Sequence, residues 1–361
     1  MEGEAAAAAP SAAAPPSSSS DLAGAVSHKE GHYKYGAVMG WDGTHFRGWQ
    51  LQGADPRLPW RGRPRTVQGA VERAWSEALY PSLDPESRPV TVMSAGRTDV
   101  GVHALAMPLH VWTPECVGDL EAASKLVAAA MPDDLWTVRL ALVPKDFDAK
   151  AGVQSKTYRY QMWDGEEAPP ARLGGTERCW WLANRRPPAP PGTPRVPGKD
   201  ARGPVPAVDV GAMRACAGAS LVQTREFSGL SAPSSGISKA KRKARNAMRE
   251  RGEEPGPKHK EDKMCVRTIF RCDVDRTEGH LVTVEVEGSG FLYKMVRLIA
   301  SLLFEVGAGL RTLESAEALV ARADSHATVQ ELRPAPPQGL CLVQVRYADD
   351  HPGADVMNPP P

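Results

Sequence analysis

After an apolar run that ends at Ser94, the chain reads Ala95-Gly96-Arg97-Thr98-Asp99-Val100-Gly101-Val102-His103-Ala104. Two glycines bound an Arg, a Thr and an Asp, the composition of a tight loop that holds polar side chains clear of a scaffold. A lone carboxylate in such a loop can attack an electrophilic carbon or stabilise a carbocation beside it. Triphosphate chemistry is not supported, because a phosphate loop needs Lys and then Ser or Thr directly after its second glycine, where Val102 and His103 stand. Metal chemistry needs several donors at ligand spacing. His103 and His110 have no Cys, His or acid cluster around them and read as turn or core histidines. By spacing alone, an ordinary strand-to-strand turn is the commoner meaning of such a loop.

The elements that would hold this loop follow from periodicity. Alternating or continuous apolar runs predict strands at Tyr35 to Trp41, Val90 to Ser94, Pro108 to Trp112, Trp136 to Val143, Thr157 to Trp163, Val266 to Val274, Leu281 to Val286 and Leu340 to Tyr347. Helical spacing predicts Val67 to Leu79, Leu120 to Ala130, Val208 to Leu221 and Phe291 to Val306. In Leu281 to Val286 three valines alternate with Thr283 and Glu285, the period of a strand with one covered face. The order gives an α+β class: two mixed α/β halves, 31–145 and 146–348, sharing a largely antiparallel sheet.

Met1 to about Lys29 is rich in Ala, Ser and Pro and too poor in large apolar residues to offset its ordering entropy, so 1–30 is expected to be a disordered tail, as is 349–361. Pro- and Gly-dense 185–206 reads as an exposed insertion. The second insertion, 231–263, carries ten Lys or Arg against five Asp or Glu, a local excess of +5 in a chain whose net charge is only +1. A solvated loop, a grip on RNA phosphates and a nuclear import signal all fit that run. No apolar stretch reaches the roughly 20 residues of a membrane span; Leu298 to Val306 is broken by Ser301 and Glu305. The six scattered cysteines lack the close pairs of a zinc site or disulfide framework and fit reduced thiols. Compartment stays open between nucleus, cytoplasm and organelle.

The Ala95 to Ala104 run resembles the signature loop of the TruA family of tRNA pseudouridine synthases. Further segments agree in order: Gly40 to Gln50, Thr66 to Gly69, Phe147 to Lys150 through Lys156 to Tyr160, Phe291 to Arg297 through Glu305 to Gly309, and Gln338 to Leu340. Together they span about Tyr33 to Tyr347. Val100 stands where alanine is more usual and Asp148 where histidine is common, and the two insertions have no counterpart in the compact bacterial form, which points to a eukaryotic branch.

This resemblance implies a pseudouridine synthase fold with its cleft between the halves, and isomerisation of uridine in tRNA, in the anticodon arm. It places Asp99 as nucleophile, Tyr158 and Arg297 as its catalytic companions, and Leu340 in the pocket wall. Arg297 would orient Asp99; Tyr158 would stack on the extruded uracil and take the C5 proton; Arg97 would contact a phosphate beside it. Away from the family, Arg297 reads as a surface residue of an amphipathic helix, Tyr158 as a half-buried strand tyrosine and Arg97 as a solvated charge. An isomerisation has no net redox change or group donor, so no cofactor is expected. The partner is tRNA, with homodimer and monomer both open. Two rivals are a catalytically silent RNA-binding protein or chaperone on the same scaffold, and a metal-dependent nuclease built from Asp99, Asp148 and a histidine.

Overall fold

A computed structural model of the chain describes residues 27–29, 32–52, 64–84, 89–182, 207–232, 265–322 and 331–358. In chain order the N-terminal part holds β1 (Ser27–Lys29), β2 (His32–Trp41), α1 (Val67–Leu79), β3 (Thr91–Ser94), β4 (His103–Thr113), α2 (Leu120–Ala130) and β5 (Leu135–Leu142). The remainder holds β6 (Val153–Trp163), β7 (Trp180–Trp181), α3 (Val210–Cys216), β8 (Thr224–Glu226), β9 (Val266–Glu278), β10 (Leu281–Gly288), α4 (Met295–Gly307), α5 (Leu313–Ala321), β11 (Leu340–Tyr347) and α6 (Ala354–Met357). The strands join in one sheet of order β1-β2-β4-β11-β6-β10-β9-β8, with β3 beside β4, β5 beside β2 and β7 beside β6. Pairing is antiparallel except for β4 with β11 and β6 with β7. The α+β class expected from the sequence is the class observed.

Capping and burial explain the helices. Thr66 accepts from the Gly69 N–H, and Val67, Val71, Ala74 and Trp75 then form one buried face of α1. Asp119 accepts from Glu121 and Ala122 N–H groups at the start of α2. α4 is buried almost all round, as expected of a helix sandwiched between a sheet and other helices. The valines of β10 are buried in that core, while its other face carries a cross-strand network in which Glu285 pairs with Arg159 and Arg271.

Four expectations need correction. Residues 349–358 are ordered rather than a tail: Met357 is buried, and the Asn358 amide exchanges hydrogen bonds with the Tyr347 backbone at 2.8 and 3.2 Å. Two apolar side chains and one amide suffice to dock a short segment whose composition looks like a linker. Ser27–Lys29, inside the expected N-terminal tail, pairs with β2 as a short antiparallel strand, Ser27 against Lys34 through Lys29 against His32. The last long helix begins at Met295 instead of Phe291, because Lys294 takes a left-handed conformation (φ 60°) that ends the preceding turn. Pro108 sits inside an eleven-residue β4, where it leaves the pairing with β2 continuous. The insertion 185–206, the basic run 233–263 and residues 1–26 lie outside the described residues.

Candidate active site

The junction of the halves is narrow. β4 and β11 pair only at His103 with Cys341 and Ala104 with Leu342, after which β3 replaces β11 at the same edge of β4. The loop between β3 and β4 occupies the gap, and this is where Asp99 stands.

Many backbone bonds hold that loop. Trp49 N donates to Thr98 O at 3.1 Å, Gly101 N to Phe46 O at 3.3 Å and Val102 N to Asp99 O at 3.3 Å. The Trp41 indole donates to Val102 O at 3.1 Å. Gly48 lets the 43–50 segment lie against the loop, since it adopts φ +89° and a Cβ there would meet Thr98 O at 2.8 Å. The same segment receives the N–H groups of Val67 and Gln68, so the start of α1 and the Asp99 loop form one braced unit.

Arg297 projects from the first turn of α4. Its Nη1 lies 3.0 Å from Asp99 Oδ2, and its Nε donates to Ala335 O at 2.6 Å. The Ala335 N–H returns a bond to Arg297 O, which fixes the arginine at both ends. The arginine side chain is 12% exposed and the aspartate 25%. The guanidinium is therefore the buried partner and the carboxylate faces solvent.

The cleft in front of Asp99 encloses about 1310 Å³ and is lined by all five residues singled out in the sequence: Arg97, Asp99, Tyr158, Arg297 and Leu340. Tyr158 comes from β6, its ring edge-on to Phe291 at 5.3 Å. Burial, then the charge of Asp99, pushes its phenol well above the ordinary tyrosine range. Leu340 opens β11 behind Gly339, where a Cβ would meet the Tyr160 ring at 2.7 Å. Arg97 is exposed and makes no ion pair among the described residues. Among the described residues six cationic side chains line this cleft, Arg47, Arg97, Lys150, Lys156, Lys294 and Arg297, against the single carboxylate of Asp99.

The histidines have structural work. His103 Nδ1 accepts from Gly43 N at 3.0 Å, leaving Nε2 to donate to Gln338 O and Glu177 O. Its Nδ1 also lies 3.2 Å from Asp42 Oδ1, but burial lowers its pKa and the Gly43 N–H occupies that nitrogen, so the ring is neutral and the contact is not an ion pair. His110 accepts from Ala149 N, and burial with the nearby Lys34 lowers it to about 4. Asp148 caps the Lys150 N–H and is not among the cleft-lining residues. Among the described residues no group of three or more His, Cys, Asp or Glu could hold a metal, and no helix is long and apolar enough to cross a membrane.

Sequence reasoning missed two cleft residues, Phe291 and Lys156. Phe291 was assigned to the helix that follows. Lys156 stands two residues before Tyr158 on the same face of β6, and that spacing was the available signal.

Two mixed α/β halves on one sheet, with an Asp-bearing loop at their junction, define a pseudouridine synthase fold. A family profile described as tRNA pseudouridine synthase matches residues 256–348. The tRNA pseudouridine synthase A of Solidesulfovibrio magneticus is 31% identical over 310 residues, covering 86% of this chain and 89% of its own. Those of Geotalea uraniireducens and Lysinibacillus sphaericus are each 30% identical over 311 residues, covering 86% of this chain and 98% of theirs. The chain belongs to the TruA family of tRNA pseudouridine synthases, which are isomerases.

Proposed function

We propose that this protein isomerises uridine to pseudouridine in tRNA, within the anticodon arm, with Asp99 as nucleophile. The observation that carries the reading is the ion pair of Asp99 with a well-buried Arg297, set in a cleft whose other charged lining residues, among those described, are all cations. Such a lining suits a polyanionic substrate, since phosphate contacts supply most of the affinity for RNA.

The target nucleotide leaves its stack to reach the carboxylate. Asp99 adds either to ribose C1′ or to C6 of the base, and on both routes the C1′–N1 bond breaks. The uracil then turns and its C5 bonds to C1′, after which C5 loses its proton and N1 gains one. Atoms and electrons balance within the nucleotide, so the reaction calls for no redox partner or group donor.

Arg297 aims Asp99 through the 3.0 Å bond to its carboxylate. Tyr158 packs on the turned base and relays the C5 proton. Because burial and Asp99 keep the phenol protonated, it takes up that proton as it passes its own to the Asp99 carboxylate released from substrate, which gives it up to N1, instead of standing ready as a phenolate. Leu340 and Phe291 shape the apolar walls, and Arg97 holds backbone phosphate.

The test is nucleoside mass spectrometry of tRNA transcripts incubated with the full-length chain. Pseudouridine should form in RNA of unchanged length, indifferent to chelator, and vanish with Asp99→Ala. Binding without conversion would favour the silent RNA-binding rival, and chelator-sensitive cleavage the nuclease.

A further inference from the structure

Lys156 lies two residues before Tyr158 on the same face of β6, about 6.6 Å away along the strand. Its ammonium points into the cleft and donates to Ala95 O at 2.8 Å, on the loop that carries Asp99. No carboxylate among the described residues pairs with it. Gly96 leaves room for it, since a Cβ there would sit 2.8 Å from Nζ and push the ammonium aside.

An ammonium carries three donors, and one carbonyl satisfies one of them. A largely buried cation without counter-charge is costly, and this one meets further cations. Lys150, from the turn before β6, and Arg267, on β9, both repel it; Arg97 and Asp99 on the facing loop, Arg47 before α1, and Lys294 and Arg297 at the start of α4 line the same cleft. Burial first, then those two neighbours, lower it to about 8. A neutral uracil carbonyl would need one donor. Several cations converging on a spot with a single carboxylate nearby answer a full negative charge.

We propose that Lys156 binds a backbone phosphate of the RNA next to the target uridine, a subsite that rests on reading this cleft as the modification site. Two residues along a strand is about the reach from a nucleobase to its own phosphate, so Tyr158 and Lys156 grip two parts of one nucleotide. The phosphate supplies the missing counter-charge and uses the free donors. Bound phosphate also returns the ammonium toward its ordinary proton affinity. The complex then keeps its proton to higher pH than the free chain, so binding near pH 8 takes up a proton and affinity falls as pH rises.

The experiment measures binding of unmodified tRNA transcript to the full-length chain carrying Asp99→Asn, which prevents turnover, with Lys156, Lys156→Met and Lys156→Arg compared across salt and pH. Lys156→Met should weaken binding about tenfold and lower the log–log salt slope by about one. Lys156→Arg should restore both and abolish the affinity loss between pH 7 and 9. The chain with Lys156 should take up protons on binding near pH 8, a readout that needs no Lys156 variant should the methionine form fail to fold. Unchanged affinity and slope in Lys156→Met, with or without a lower turnover number in the Asp99 chain, would overturn the proposal and leave Lys156 as a tether of the Ala95 carbonyl. Persisting alkaline loss in Lys156→Arg would overturn it too. Conversion of tRNA by the unaltered chain under those results would leave the proposed function standing, whereas no conversion by that chain sinks the larger reading first.

Discussion

Arg297→Ala tests the centre of the mechanism, and the exposures set its size. Removing one partner of a fully buried ion pair costs about 3 to 5 kcal/mol because the survivor is left uncompensated. Here the survivor is Asp99, a quarter exposed at the cleft wall, so water can reach it and that penalty shrinks. What is lost is a charge-assisted bond of 3.0 Å to Asp99 and another of 2.6 Å to Ala335 O, the latter leaving a carbonyl short of a donor. Bonds of that kind are worth about 1.5 to 3 kcal/mol each before rehydration. Allowing for recovery at Asp99, the net loss should be about 2 to 3 kcal/mol, a fall in Tm of roughly 3 to 6 °C. Activity should fall further than stability, by at least about a hundredfold, since a carboxylate free to rotate loses the aim that near-attack geometry requires. Arg297→Lys keeps the charge but cannot span Asp99 and Ala335 O with one planar fork, so it should lie between. Calorimetry and single-turnover pseudouridine formation on the same preparations decide it. Unchanged Tm and unchanged rate would refute the role of Arg297 altogether; a lowered Tm with an unchanged rate would refute its control of Asp99.

Three further outcomes follow from local geometry. Gly48→Ala places a Cβ 2.8 Å from Thr98 O at φ +89°, so it should cost about 1 to 3 kcal/mol and slow turnover through the Asp99 loop, seen as a lower Tm and lower kcat together. Lys294→Gly relieves a left-handed lysine at the cleft rim, so it should raise stability by about 0.5 to 1 kcal/mol in chemical denaturation while weakening tRNA binding, a split that loss of packing would not give. His110 is lowered to about 4 in the folded chain against about 6.5 unfolded, so the unfolded state binds the extra proton between those values; the stability it contributes is complete above pH 6.5 and is lost as pH falls toward 4. Urea unfolding at pH 7 and pH 5 should show that loss, and His110→Asn, whose amide oxygen can still accept from Ala149 N, should reduce it.

Local rules carried the sequence reading furthest where the chemistry is local. α1 and α2 begin and end where their apolar spacing places them, and Thr66 and Asp119 supply the first bonds. The reading failed where a distant partner decides. Phe291 continues the helical apolar pattern of Met295 and Leu298, yet it turns away to meet Tyr158, and only the left-handed Lys294 explains the break. The segment after Tyr347 looks like a linker until Met357 is seen filling the space beside Gly36, and α5 lies in a stretch to which the sequence reading assigned no element. For the site, Asp99 alone would have been dismissed as part of a turn. Its meaning came from the family pattern that joins it to Tyr158 and Arg297, residues 59 and 198 positions away that no periodicity links to it. Lys156 escaped notice because a lysine on a strand is ordinarily solvated, and its lack of a counter-ion among the described residues is a property of the assembled cleft.

The placement of the site follows from how the halves are joined. A parallel pairing two residues long, His103–Ala104 against Cys341–Leu342, cannot continue, because β3 takes the same edge of β4 a few residues on. The wedge left open must be filled by the chain that connects β3 to β4, and that chain is the Asp99 loop. Its carboxylate belongs to the N-terminal half, while Arg297, Tyr158 and Leu340 belong to the C-terminal half. The ion pair is thus a bond across the junction as well as an orienting device. A change in the angle between the halves would move Asp99 relative to Tyr158 before it disturbed either half internally. If tRNA binds across both halves, as the proposed function implies, its binding energy can set the distance from carboxylate to base, a use of remote contacts that should appear as a loss of kcat, not only of affinity, when the tRNA is trimmed to a short stem around the target uridine.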